Sequence, residues 1–116
     1  MKTEDPSDMT EPQLTDAKQE NGQWVLYLAE LKEFAEGTLT PHSNIVPGDE
    51  ITIVASFSGG NIWSNKVLLQ VPLNGPQSFK IPKAEFGKAG EELRLLYRVK
   101  TLTTTKPSPT RKIMLK

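Results

Sequence analysis

Between Leu93 and Val99 every second residue is apolar: Leu93, Leu95, Tyr97 and Val99 alternate with Arg94, Leu96 and Arg98. A repeat of two is the side-chain period of an extended strand, and a strand with one apolar face needs a second layer to cover it. The pattern recurs in shorter pieces. Ile51, Ile53, Ala55 and Phe57 alternate with Thr52, Val54 and Ser56, and Val67, Leu69 and Val71 alternate with Leu68 and Gln70. Phe79 and Ile81 form a run stopped by Pro82, and Ile113 and Leu115 form the last one. Turn formers stand between them: Pro47-Gly48-Asp49, Gly59-Gly60-Asn61, Asn74-Gly75-Pro76 and the Thr- and Pro-rich loop 103–110. Thr38-Leu39-Thr40-Pro41 reads as a short edge strand, because proline cannot donate to a central ladder.

About seven short strands with turn signals every ~8–12 residues predict an all-β, antiparallel sandwich of the immunoglobulin-like kind. A short helical turn is expected near 83–90, with Ala84, Phe86 and Ala89 facing inward. One segment stays open. Trp24, Leu28, Leu31, Phe34 and Ala35 have helical spacing, with Asn21 as an N-cap and Gly37 at C′, yet Trp24 to Leu28 is also an aromatic and β-branched run suited to a strand.

Charge divides the chain. Residues 1–20 hold six acids and two lysines, net −4; residues 21–116 hold twelve bases and eight acids, net +4. The first segment is polar, interrupted by Pro6 and Pro12, and too poor in apolar side chains to offset the entropy of ordering, so 1–20 reads as a disordered acidic tail and 21–116 as the folded domain. The chain has no cysteine, which excludes disulfides and thiolate metal sites. No apolar run approaches the ~20 residues that cross a bilayer, and no apolar stretch follows Met1-Lys2 as in a signal peptide. The expectation is a protein without membrane insertion, cytoplasmic or exported by a signal-independent route.

Several local patterns together resemble a bacterial immunoglobulin-like repeat, found in tandem arrays in large surface-associated or exported proteins. Val25-Leu26-Tyr27-Leu28-Ala29 is similar to its opening V-L-x-L-A. Ile45-Val46-Pro47-Gly48-Asp49-Glu50-Ile51-Thr52-Ile53 is similar to M-x-x-G-D-x-V-x-L. Gly75-Pro76-Gln77-Ser78-Phe79-Lys80-Ile81-Pro82 is similar to G-P-x-x-F-x-V-P, and Glu91 to Val99 to G-x-x-V-x-V-x-Y-x-V. The resemblance implies an immunoglobulin-like fold that spaces or binds, with no catalytic residue to transfer. It also favours the strand near Trp24, with a turn over 29–35. The chain carries one copy of the pattern, behind an acidic segment.

No catalytic, cofactor-binding or metal-binding residue is assigned. His42 is the single histidine, beside Ser43 and seven residues before Asp49; a triad or metal site needs groups converging from separate elements, which this adjacency does not supply. The pairs Asp49/Glu50 and Glu91/Glu92 begin strands, where neighbours point to opposite faces and cannot share a substrate. Gly59-Gly60 lacks the Lys-Ser/Thr of a phosphate loop.

Two surfaces are candidates for binding. Trp63 lies in the 59–66 stretch with Asn61 and Asn65, where an indole at the end of a sandwich stacks on a sugar or anchors a protein; the alternative is a core tryptophan of the third strand. Arg94, Arg98, Lys100 and Lys112 fall opposite Leu93, Leu95, Val99 and Ile113 and predict one outward basic face. That face fits an anionic partner, or transient docking of the acidic tail, and otherwise serves solubility. Nucleic acid is disfavoured because no aromatics interleave with these bases. Tyr97 is expected to bury its ring and bond its hydroxyl to nearby backbone. The partners expected are a protein or a glycan, and the chain is expected to be a monomer.

Overall fold

The computed structural model describes residues 10–40, 49–67 and 77–116. Among them, ten strands form two sheets: β1 (Gln13–Leu14), β2 (Lys18–Glu20), β3 (Gln23–Leu26), β4 (Phe34–Leu39), β5 (Glu50–Phe57), β6 (Ile62–Val67), β7 (Gln77–Pro82), β8 (Glu92–Lys100), β9 (Thr105–Pro107) and β10 (Arg111–Leu115). The small sheet runs β1-β4-β7. The large sheet runs β2-β3-β10-β8-β5-β6, with β9 also on β8. All pairings are antiparallel except β10 with β3, which is parallel. The protein is an all-β sandwich.

Alternation decides what meets in the middle. Ile51, Ile53, Ala55 and Phe57 of β5, Leu93, Leu95, Tyr97 and Val99 of β8, and Ile113 and Leu115 of β10 are all buried, facing Ala35, Leu39, Phe79 and Ile81 of the small sheet. Each Val, Leu, Ile or Phe among them contributes roughly 1.5–3 kcal/mol through lost water contact. Gly37 sits at the tightest approach: a Cβ there would strike the Phe79 ring and lie 2.6 Å from the Gln13 carbonyl. That glycine is a strand residue letting a ring cross the sheet, and it ends no helix.

Several expectations need correction. Residues 10–20 belong to the fold: β1 pairs with β4, β2 pairs with β3, and Leu14 joins the core. One well-placed leucine and two short ladders offset what the polar composition lacks; residues 1–9 lie outside the described part. The helical alternative over 24–35 is replaced by β3, a single 3₁₀ turn at Leu28–Glu30, and β4. Asn21 is no N-cap. It has φ 53° and Gly22 has φ 79°, the paired positive values of a two-residue hairpin turn between β2 and β3. The strand expected at 38–41 starts at Phe34, ends at Leu39 and is the centre of the small sheet. Leu69 and Val71 lie outside the described residues.

In the turn after β7, the 3₁₀ segment is Lys83–Glu85 and Ala84 and Ala89 are exposed. Only Phe86 of the expected three turns toward the core, meeting Phe57 edge-on at 5.4 Å. The loop 103–110 contains β9. No helix among the described residues is long and apolar enough to cross a membrane.

Candidate functional site

Trp63 stands on a strand and not in a loop: β6 runs beside β5 with Ala55 opposite Trp63 and Ile53 opposite Asn65. Because β6 pairs with no other described strand, most of its side chains stay exposed on both faces, and the alternation that marks a covered strand is missing. The period of two sets Trp63, Asn65 and Val67 on the side facing the small sheet. Val67 is buried, Trp63 is half-buried against the core, and Asn65 is exposed. They line a cleft of about 320 Å3 with Ile53, Lys66, Ser78, Phe79 and Lys80, where β6 and β7 flank the opening between the sheets.

The cleft combines an indole, an amide and a hydroxyl with two lysines. Lys66 Nζ lies 3.1 Å from Glu50 Oε1, and Lys80 Nζ lies 5.4 Å from the Phe34 ring centroid. Asn61 is left out. It lies in the turn, its carbonyl accepting the Phe57 N–H at 2.9 Å.

The basic residues share one face. Arg94, Arg98, Lys100 and Lys112 are all exposed on the outward side of the large sheet. Lys112 stands directly across from Arg94, Arg98 is across from Thr52, and Lys100 is across from Glu50. Arg94 is bound by Glu92 at 2.9 Å, whereas Arg98, Lys100 and Lys112 form no ion pair with another described residue. Val54 and Leu96, paired across the strands, make a small apolar centre between the Arg94 and Arg98 levels.

One cavity escaped the sequence reading. A cleft of about 550 Å3 beside β4 is lined by Thr15, Asp16, Glu30, Lys32, Glu33, Phe34 and Glu36. Its four acids come from the β1–β2 connection, the 3₁₀ turn, the stretch that follows it and β4, so no spacing rule foretells it. Among the described residues no group of His, Cys, Asp or Glu is arranged to hold a metal. His42 lies outside the described residues.

Other polar groups serve the scaffold. Tyr97 is fully buried, its hydroxyl donates to the Thr40 carbonyl at 3.2 Å, and burial pushes its pKa up to about 12. Its N–H donates to Ser108 Oγ at 3.0 Å, which fixes the chain between β9 and β10. Glu91 accepts N–H bonds from Gly59 at 3.1 Å and Lys88 at 3.0 Å, tying two turns together. A Cβ at Gly59 would lie 2.7 Å from that carboxylate. Tyr27 donates to both Glu20 oxygens, and the hydrogen bond to this carboxylate raises its pKa above the ordinary phenol value. Among the described residues every buried side-chain N or O has a partner.

No protein-family model and no curated protein sequence matches this chain. A solved carbohydrate-binding module, the Br derivative of BhCBM56, is similar over 84% of this chain and 96% of its own, with 8% identity and a TM-score of 0.48.

Proposed function

We propose that this protein is a non-enzymatic, immunoglobulin-like binding module that meets an acidic protein partner on the outward face of its large sheet. The observation that carries the reading is the exposed group Arg98, Lys100 and Lys112, cations without an ionic partner among the described residues, set on rigid paired strands. Rigid elements hold such groups in place without an ordering cost on binding. The resemblance to bacterial immunoglobulin-like repeats supports the same role. The test is calorimetric titration with poly-glutamate as the acidic probe. Binding at low salt is expected, weakening as the screening length falls to ~10 Å near 0.1 M and weakening again in the double variant Arg98→Glu/Lys112→Glu. Titration curves unaffected by that variant would refute the assignment of the face.

A second reading is favoured by the Trp63 cleft: recognition of a glycan, with the indole as a stacking platform and Asn65 and Ser78 supplying hydrogen bonds. Glycan-array binding that vanishes in Trp63→Ala while the fold survives supports it. An array blank for the native chain would retire it.

A further inference from the structure

Among the described strands, the edge of the large sheet at β6 differs from the other strand edges. β1 has two residues and β2 three; β9 has three and ends in Pro107; β7 ends in Pro82. Short strands and prolines are the usual means of keeping edges from pairing with other chains. β6 has six residues, no proline or glycine, and an unbroken register against β5 from Ile62 to Val67. Ile62 is 72% exposed on it.

The direction of its backbone groups follows from the turn. The Phe57 N–H donates to the Asn61 carbonyl, so this pair bonds across the ladder. In an antiparallel pair, bonded and non-bonded positions alternate. Stepping by two along the register makes Ala55/Trp63, Ile53/Asn65 and Ile51/Val67 the bonded pairs. Ile62, Ser64 and Lys66 therefore turn their N–H and C=O groups away from β5, toward the side where no other described strand pairs with them.

We infer that β6 pairs with β6 of a second copy of this chain, antiparallel about a two-fold axis at Ser64. In that register Ser64 meets its own counterpart, Ile62 meets Lys66 of the other copy, and Trp63 meets Asn65. No like charges oppose. Lys66, the one charge on the strand, already has Glu50 at 3.1 Å, and its aliphatic stem lies over an apolar Ile62. An isologous contact closes on itself and leaves no free β6 edge. Because only Ile62, Ser64 and Lys66 turn backbone groups to this edge, a one-residue slip would set them against positions already bonded to β5, and a two-residue slip would leave one of the three without a partner on the strand; the Ser64 register keeps all three in bonded pairs. The inference holds whatever either candidate surface binds.

Six residues per copy give a contact smaller than the roughly 1,200 Å2 of a stable interface, so association is weak and depends on concentration. Sedimentation velocity on the full chain from about 10 μM to 1 mM, the range suited to so small a contact, is expected to show a reversible monomer–dimer shift. Ser64→Pro removes an N–H that faces away from β5, a position where an edge strand accepts proline, and is expected to hold the chain monomeric with an unchanged far-ultraviolet spectrum. Ser64→Cys puts the only thiol of the molecule on the axis. Bonded antiparallel partners stand ~5.5 Å apart at Cα, within disulfide range, so mild oxidation is expected to give a covalent dimer far faster than with Thr103→Cys on an exposed turn. A native chain that stays monomeric throughout, or equal cross-linking at 64 and 103, overturns the inference.

Discussion

Among the described residues the large sheet is closed by a hairpin on one side and ends at β6 on the other, and a tryptophan stands near each. Trp24, on β3, is half-buried with the Arg111 guanidinium 4.2 Å from its ring centroid, and Glu11 holds that arginine at 2.8 Å. The hairpin of β2 and β3 closes this side further through Tyr27 with Glu20 and Lys18 with Glu30. Trp63, on β6, is also half-buried, yet its surroundings are a cleft and an unpaired strand edge among the described residues. The same residue type is enclosed where the described chain supplies neighbours and lines a cleft where it does not. Trp24 is flanked by β10 through Arg111 and Ile113 and by β2 through Gln19, and Glu11 holds Arg111, so part of this setting comes from 11–20, the stretch whose composition reads as tail.

Truncating the two indoles separates these roles. Trp24→Ala is expected to cost roughly 3 kcal/mol in urea unfolding, because it empties a packed site and strands Arg111. Trp63→Ala is expected to cost about half as much, near the ordinary range for a partly exposed residue, while removing any glycan binding. Equal losses would erase the contrast. Glu11→Ala is expected to cost about 1 kcal/mol, since it leaves a mostly buried guanidinium without its carboxylate, and to leave ligand binding at the β6 side untouched.

A smaller effect tests the core both tryptophans lean on. Tyr97 titrates at about 12 in the fold against 10.0 for the ordinary phenol. Above pH 10 the unfolded chain gives up this proton first, so it binds fewer protons than the folded state and stability falls as pH rises from 10 toward 12. Below 10 this group contributes no pH dependence. Tyr97→Phe is expected to lose under about 1 kcal/mol at neutral pH, for the bond to Thr40, and to flatten the alkaline decline attributable to this residue. Denaturant midpoints between pH 9 and 12, taken near the phenol's ordinary range, check the sign.

These contrasts mark how far the amino-acid pattern reaches. β5, β7, β8 and β10 are legible because one face of each is buried and the other is not, which imprints a period of two. β1 and β2 are too short to carry a period, and their polar residues gain order from partners distant in sequence. The Asn21-Gly22 turn was readable as a hairpin signal, but the helical spacing of Trp24, Leu28 and Leu31 competed with it. β6 reads as a loop for the opposite reason: an edge strand exposed on both faces has no contrast to display. Trp63 and Asn65 line one cleft because residues two apart on a strand share a side, whereas Asn61 sits beyond the start of the strand. The roles of Ser108 and Glu91 rest on contacts across the fold, which no local pattern encodes.

Amide hydrogen exchange along β6, read by NMR in dilute solution, tests the open edge most directly. Protection is expected to alternate, slow at Trp63, Asn65 and Val67 and fast at Ile62, Ser64 and Lys66, while β8, bonded on both sides, is slow nearly throughout. Uniformly fast exchange from 62 to 67, or the reverse alternation, would contradict the strand and its register.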